Sequence, residues 1–161
     1  MIWITVLAAV LFLTVALTVF FGPPYLPTMS KQVQTALDLL DLEPGQTMLE
    51  LGCGDGRVLM AAAQRGIKVV GVELSPLLAA IAWLRTRRYG KQVKVICGNY
   101  FLIKWPPADA IFTFMIPRQM PKLDEKIRNL KRPLRLASFA FAVPGKKPAV
   151  KKNGVFLYIY N

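Results

Sequence analysis

Short apolar runs alternate with helical stretches from residue 47 to the end of the chain. The runs are bounded by glycine, proline or charged residues, as buried strands are. Strands that alternate with helices indicate a parallel sheet with crossover helices, so the pattern predicts an α/β domain. The predicted strands are 47–51, 68–73, 93–97, 110–115, 136–143 and 155–160.

Helical spacing is found between these runs. Apolar residues recur every three or four positions from 33 to 40, which predicts an amphipathic helix beginning at Ser30. Ser75 and Pro76 form a typical helix start, a capping residue followed by proline. Further helices are predicted at 55–65, 75–90 and 119–130, and residues 145–152 are predicted to form a basic loop.

The N-terminal segment has a different pattern. Residues 1–30 contain no Asp, Glu, Lys or Arg, and residues 2–21 make an apolar run of about 20 residues, enough to cross a bilayer core of about 30 Å. It has no basic stretch before it and no small-residue cleavage site after it, which favours an uncleaved transmembrane anchor (1–21) over a signal peptide or a buried core helix. Residues 22–29 contain three prolines and predict a short, stiff connector to a folded domain at 30–161.

The charge distribution predicts on which side of the membrane the domain lies and what its basic surface binds. The chain has 21 Lys and Arg against 9 Asp and Glu, a net charge of +12, and all of it lies C-terminal to the apolar run. The positive-inside rule therefore places the domain on the cytoplasmic side of a membrane, or on the matrix side in a mitochondrion. The basic residues from Arg118 onward are expected to face anionic lipid, with a solvated surface or nucleic acid as less favoured alternatives. Two cysteines fit a reducing compartment.

The candidate chemistry lies between the first strand and the first helix of the sheet. Residues 50–56 read Glu-Leu-Gly-Cys-Gly-Asp-Gly. Glycines allow a ligand to approach the backbone, and a helix start offers unpaired N–H groups. The second strand ends at Glu73, whose carboxylate can accept hydrogen bonds from both hydroxyls of a ribose. The arrangement predicts a nucleoside-cofactor site rather than a turn without a ligand. Its glycine spacing differs from the dinucleotide fingerprint, and the P-loop lysine is absent.

These motifs resemble those of the class I, seven-strand, S-adenosylmethionine-dependent methyltransferases, over about residues 30–160. The resemblance implies a minimal Rossmann-like, doubly wound, mostly parallel sheet, with S-adenosylmethionine as the cofactor and no metal. Asp55 equally fits a helix cap, and Asn99 a simple turn residue. The cofactor-binding residues that the resemblance implies are Glu50, Gly52, Cys53, Gly54, Asp55, Gly56, Glu73, Leu74 and Asn99.

A narrower resemblance is to small membrane-anchored protein-lysine methyltransferases that modify mitochondrial carrier or ATP synthase c-subunit lysines, and to their prokaryotic relatives. It is carried by residues 22–28 (GPPYLPT), 49–57, 114–117 and 157–160. It implies methylation of a lysine amine in a membrane-associated protein. The alternatives are methylation of a lipid, quinone or other membrane-partitioning small molecule, and a non-catalytic cofactor-binding module.

The candidate catalytic residues are two tyrosines. The chain has no histidine, so a histidine general base is excluded. Tyr25 in the connector and Tyr100 after the third strand are expected near the transferred methyl group. Each also fits a packing role over the cofactor or at a membrane interface.

Overall fold

The structure is a computed structural model that describes residues 2–6, 9–10 and 26–161. Residues 2–6 and 9–10 are helical. The rest of the predicted anchor, and residues 22–25 of the connector with the candidate Tyr25, lie outside the described residues. Among the described helices, none combines the length and the apolar character needed to cross a bilayer. The anchor and its connector therefore stay predictions.

The domain is built on one seven-stranded sheet in the order β3-β2-β1-β4-β5-β7-β6. Strands β1 to β5 pair in parallel, whereas β7 is antiparallel to both β5 and β6. This is the predicted Rossmann-like, mostly parallel arrangement. The strands are β1 (Thr47–Leu51), β2 (Lys68–Glu73), β3 (Val93–Cys97), β4 (Ala110–Thr113), β5 (Leu134–Phe139), β6 (Val150–Lys152) and β7 (Val155–Tyr160).

Helices cover both faces of the sheet. They are α1 (Ser30–Leu40), α2 (Arg57–Gln64), α3 (Pro76–Thr86), which continues into a 3-10 turn at Arg87–Gln92, and α4 (Met120–Arg128), preceded by a 3-10 turn at Pro117–Gln119. One apolar cluster joins α1 and α2 to one face of the sheet, and a second joins α4 to the other. Successive side chains of β1 alternate between the two, with Met48 in the first and Leu49 in the second. A core on each side of the sheet follows from this alternation.

Four predicted strands have the observed bounds, and three details of the prediction are wrong. Strand β4 ends at Thr113 rather than at residue 115. Strand β5 spans Leu134–Phe139 rather than 136–143, because Ala140 takes a left-handed conformation with φ of 66° and ends the strand. Residues 150–152 form β6 instead of the end of a loop, since they pair with β7 through a turn at Asn153 and Gly154.

The topology determines where the site lies. Strands β1, β2 and β3 are parallel neighbours, so their carboxyl ends meet at one edge of the sheet. The glycine-rich turn follows β1, Glu73 ends β2, and Asn99 follows β3. These predicted cofactor-binding segments therefore meet at the edge where open α/β sheets bind ligands.

Candidate functional site

The turn after β1 is held in place by backbone hydrogen bonds to the end of β2. The N–H groups of Gly52 and Cys53 both donate to the carbonyl oxygen of Val72, at 2.8 and 3.1 Å. Gly52, Gly54 and Gly56 all have positive φ, at 81°, 53° and 80°, a conformation that glycine adopts without steric cost. A Cβ on Gly52 would meet nothing within 4 Å. The turn therefore presents bare backbone to open space, as a cofactor cradle requires.

Gly56 in this turn and Gly71 in β2 permit close packing beneath it. A Cβ on Gly56 would lie 3.1 Å from the backbone of Ala82 in α3, and one on Gly71 would lie 2.8 Å from the Cys53 sulfur. Cys53 is buried, and burial, together with the charges of Glu50 and Glu73, raises the pKa of its thiol. The Cys53 side chain therefore belongs to the core, and its N–H and C=O are both hydrogen-bonded within the turn and to β2.

The carboxylate of Glu73 is fixed by two backbone donors. Its Oε2 accepts a hydrogen bond from Gly54 N–H and its Oε1 accepts one from Ser75 N–H, each at 2.8 Å. The side chain is buried, with 8% of its surface exposed. Each carboxylate oxygen has a further lone pair, so Glu73 is preorganised to accept hydrogen bonds from two neighbouring hydroxyls. The Ser75 donor was not predicted from the sequence, because a backbone contact two residues away has no residue-type signature.

Glu50 is a buried acid with an unsatisfied oxygen. Only 3% of Glu50 is exposed, and among the described residues its Oε2 has no hydrogen-bond partner. Burial, with the negative charges of Glu73 and Asp55, raises the pKa of Glu50 well above its ordinary value. A buried carboxylate without a partner is costly. A cationic ligand at this edge of the sheet would remove that cost.

Asp55 is occupied by two arginines. Its carboxylate accepts hydrogen bonds from the Arg57 side chain at 3.0 Å on each oxygen, and from Arg85 of α3. Burial would raise the pKa of Asp55, but the hydrogen bonds and charges of Arg57 and Arg85 outweigh it and lower the pKa to about 2. Asp55 also accepts a hydrogen bond from Arg57 N–H at 3.3 Å, but the N-cap residue of α2 is Gly56, without a side-chain capping hydrogen bond. The structure gives Asp55 the role of joining α2 to α3.

The loop after β3 contains the remaining candidates. Asn99 Oδ1 accepts a hydrogen bond from Phe101 N–H at 2.9 Å, so Asn99 organises this loop as a turn residue does. Tyr100 donates to Gln119 Oε1 at 2.7 Å. Burial and the charge of Glu73 raise the pKa of Tyr100 to about 12, so its phenol stays protonated near neutral pH. Leu74, directly after Glu73, is exposed at this edge.

Lys126 of α4 holds the same loop from outside. Its Nζ donates to the carbonyl oxygens of Tyr100, Phe101 and Ile103 at 2.9, 2.9 and 3.0 Å, and lies 4.6 Å from the centre of the Trp105 ring. Burial and neighbouring Lys122 lower the pKa of Lys126. No sequence pattern identifies this contact, because a lysine on an amphipathic helix is ordinarily solvated. Across the described residues, no group of His, Cys, Asp and Glu could hold a metal ion.

Comparisons with known proteins agree with this geometry. A family profile described as the ANTKMT methyltransferase domain matches residues 50–150. The ATP synthase c-subunit lysine N-methyltransferase of Xenopus laevis is 29% identical over 128 residues, covering 78% of this chain and 56% of that protein. The adenine nucleotide translocase lysine N-methyltransferase of Mus musculus is 33% identical over 129 residues, with the same two coverages.

A shorter relative and a solved structure cover more of their own length. The protein-lysine N-methyltransferase of Saccharolobus islandicus is 28% identical over 130 residues, covering 78% of this chain and 81% of that protein. The crystal structure of an RNA methyltransferase from Salinibacter ruber in complex with S-adenosyl-L-homocysteine superposes with a TM-score of 0.73 at 25% identity, covering 84% and 92% of the two chains. The animal relatives, in contrast, are longer proteins, and the chain spans only about half of their length.

Proposed function

The chain belongs to the ANTKMT methyltransferase domain family, and we propose that it transfers the methyl group of S-adenosylmethionine to a lysine amine of a membrane-associated protein. The observation that carries the proposal is the carboxylate of Glu73, fixed by Gly54 N–H and Ser75 N–H beside the open backbone of Gly52. These residues fit S-adenosylmethionine. Glu73 provides a fixed carboxylate for the ribose hydroxyls, and the exposed backbone at Gly52 suits the methionine part.

The proposed methyl transfer depends more on the alignment of the acceptor amine with the methyl group than on a catalytic acid or base. S-adenosylmethionine supplies a methyl group that is already activated on a sulfonium, so the protein has mainly to orient the acceptor. In the proposal Glu73 accepts hydrogen bonds from the ribose hydroxyls, and the turn at Gly52 and Gly54 passes under the methionine part. Glu50, buried and with one unsatisfied oxygen, would be stabilised in its ionised form by the positive charge of the cofactor.

Tyr100 is proposed to orient the acceptor rather than to deprotonate it. With a pKa of about 12 its phenol keeps its proton, and its O–H already donates to Gln119. The remaining lone pairs of the phenol oxygen can accept a hydrogen bond from an amine N–H. The lysine must be neutral to attack, and a nearby sulfonium charge lowers its pKa.

A membrane-associated protein acceptor is supported by two observations. The animal relatives are named for the c subunit of ATP synthase and for adenine nucleotide translocase. Residues 1–30 of this chain contain no charged side chain, which suits a membrane anchor at 1–21 with the domain on the cytoplasmic or matrix side. An acceptor lysine close to the bilayer surface would then be within reach of the site.

The test is methyl transfer into fractionated membranes. The full chain is incubated with methyl-tritiated S-adenosylmethionine and membranes from its own source, and the protein, lipid and RNA fractions are counted separately. We expect label in protein, recovered after acid hydrolysis as methylated lysine. The Glu73→Gln variant should lose the transfer, while Glu125→Gln, which alters an exposed acid outside the site, should keep it. Label in lipid alone would instead support the lipid or quinone alternative, and cofactor binding without transfer would support a non-catalytic module.

A further inference from the structure

Helix α3 carries its large apolar side chains on the outside. The residues that it buries are small: Ala79, Ala82 and Thr86. Its exposed residues include Leu77, Ile81, Trp83 and Leu84, with 50%, 37%, 60% and 53% of their surface accessible. An ordinary surface helix has the opposite arrangement, with large apolar residues facing the core and polar residues facing water. The outer face of α3 is therefore unusual.

Packing explains the small residues but not the large ones. Helix α3 lies so close to the glycine-rich turn that a Cβ on Gly56 would be 3.1 Å from Ala82. A larger side chain at position 82 would push the helix away from the turn, which accounts for alanine there. Nothing in the described part of the domain requires Leu77, Trp83 or Leu84 to be apolar, because they contact solvent. A contiguous exposed apolar face of this kind indicates a binding surface.

The charges at the end of α3 favour a lipid surface as the occupant. Residues 76–92 contain no Asp or Glu. Arg87, Arg88 and Lys91 follow the apolar face and are exposed, and Tyr89 lies among them. Helices that lie in a bilayer interface combine an apolar face, tryptophan or tyrosine at the boundary, and flanking basic residues that bind anionic headgroups. Helix α3 and its 3-10 extension have all three features.

The position of α3 relative to the N-terminal segment gives independent support. Arg57 donates to the carbonyl oxygen of Thr28 at 3.4 Å and to Asp55 at 3.0 Å, and Asp55 in turn accepts from Arg85 near the end of α3. This chain of contacts places residue 28 beside the C-terminal end of α3. Thr28, which follows the predicted anchor and connector in the sequence, therefore lies near the same end of α3 as Arg87 and Arg88.

We propose that the α3 face, formed by Leu77, Ile81, Trp83 and Leu84 with Arg87 and Arg88, lies on an anionic bilayer surface. It is a second membrane contact in addition to the proposed anchor, and it orients the domain. Because α3 packs against the turn at Gly56, this contact brings the edge that carries Glu73 close to the headgroups. The docking surface rests on the membrane attachment proposed above and does not depend on methyl transfer.

The test measures the depth of Trp83 in a membrane. The full chain with Trp3→Phe is incorporated into phosphatidylcholine vesicles with or without phosphatidylglycerol, using lipids with brominated acyl chains as contact quenchers. Trp105 is buried and contributes a constant background, which the further Trp83→Phe variant measures. We expect Trp83 emission to be blue-shifted and quenched by bromolipid, more strongly with phosphatidylglycerol. Trp83 that is quenched by aqueous iodide and untouched by bromolipid would overturn the proposal.

Matched variants connect the quenching to this face. Leu77→Asn with Leu84→Asn should abolish bromolipid quenching, whereas Ile159→Asn, which alters a side chain 53% exposed on β7, should leave it unchanged. Replacing Arg87 or Arg88 by glutamine should lower the ratio of docked to undocked domain about fivefold each at low salt. Circular dichroism and thermal unfolding confirm that each variant is folded.

Two outcomes distinguish docking on lipid from self-association and from the proposed activity. If the α3 face instead binds a second copy of the chain, Leu77→Asn with Leu84→Asn will halve the mass in analytical ultracentrifugation without changing bromolipid quenching, and the lipid proposal fails. S-adenosylhomocysteine binding and methyl transfer are measured on the same samples. Intact transfer without Trp83 quenching would overturn the docking surface alone, whereas quenching without transfer would overturn only the proposed activity.

Discussion

Replacing Glu73 by glutamine tests the centre of the site with almost no change in shape. The two oxygens of the carboxylate accept from Gly54 N–H and Ser75 N–H at 2.8 Å. A glutamine amide has one oxygen and one NH₂ group, so only one of these donors keeps an acceptor. The other backbone N–H would face the NH₂ group of the glutamine, which is also a donor, inside a buried site. The variant therefore removes one charge-assisted hydrogen bond and leaves a buried N–H without a partner.

The expected loss of stability is about 2 kcal/mol. A hydrogen bond to a charged group contributes about 1.5–3 kcal/mol, and an unsatisfied buried donor costs about 1–3 kcal/mol more. One effect opposes these losses: the charge of Glu73 contributes to the raised pKa of Glu50, so removing it relieves repulsion within the buried pair. For this reason we place the net change in the free energy of unfolding just below the combined range of about 2.5–6 kcal/mol.

The binding of cofactor should weaken more than the fold. If each ribose hydroxyl loses a hydrogen bond to a charged acceptor, about 3 kcal/mol is lost, or roughly 100-fold in Kd. Urea unfolding measures the first effect, and calorimetric titration with S-adenosylhomocysteine measures the second. Glu125→Gln, at an exposed acid, is the matched control for both. A Glu73→Gln variant that binds S-adenosylhomocysteine as tightly as the wild type would refute the assignment of Glu73 to the ribose.

Three further changes test the surroundings of Glu73. Burial raises the pKa of Glu50 in the folded protein, so its contribution to stability is fully present below the unfolded value of about 4.5 and is lost as the pH rises through the higher, folded value. In urea unfolding, Glu50→Gln should therefore gain stability over the wild type as the pH is raised above about 4.5. Gly56→Ala should cost about 2 kcal/mol, from left-handed strain of about 1 kcal/mol and a clash with α3, whereas Gly45→Ala, also at positive φ but with nothing within 4 Å, should cost only the strain. Lys126→Met should cost about 2 kcal/mol and raise amide hydrogen exchange at residues 99–105, with Lys147→Met, at an exposed lysine outside this loop, as its control.

Each of these changes has a result that would contradict its reasoning. A pH-independent difference between Glu50→Gln and the wild type would mean that Glu50 has an ordinary pKa in the folded protein. Equal losses for Gly56→Ala and Gly45→Ala would mean that α3 gives way to the added methyl group. Unchanged exchange at residues 99–105 in Lys126→Met would mean that the loop is held by its own hydrogen bonds.

Local pattern is sufficient for the strands that are buried on both faces. The predicted bounds of β1 and β2 match the observed ones because both strands are largely buried and mainly apolar. Strand β3 lies at the edge of the sheet and is only partly buried, and its predicted end matches because Gly98 follows it. Their order along the chain then brings the turn at 52–56, Glu73 and Asn99 to one edge. The predicted bounds of β5 are wrong because its apolar run continues past Ala140, whose left-handed backbone no hydrophobic pattern encodes.

The rest of the fold and site depends on contacts between distant segments. Strand β6 is exposed and basic, so it has no buried face to give it a period, although the Asn153-Gly154 dipeptide is a hairpin signal that could have found it. Lys126 contacts a loop more than 20 residues earlier in the sequence, as its bonds to Tyr100, Phe101 and Ile103 show. The pairing of Asp55 with Arg85 likewise spans two helices. Such partners are chosen by packing, which a single sequence does not display.

The distribution of acidic residues resolves an apparent conflict between a basic protein and a cationic cofactor. The chain has a net charge of +12 and only 9 acidic residues, of which Glu50, Asp55 and Glu73 lie in the site segments. Asp55 is neutralised by its arginines, but Glu73 is held by backbone N–H groups and Glu50 has an unsatisfied oxygen. The Glu73 carboxylate therefore gives the proposed S-adenosylmethionine site a local negative charge, and a bound cation would favour the ionised form of Glu50, whose pKa burial raises. The proposed methyl transfer would remove the sulfonium charge, so these acidic groups would attract the product less strongly than the cofactor.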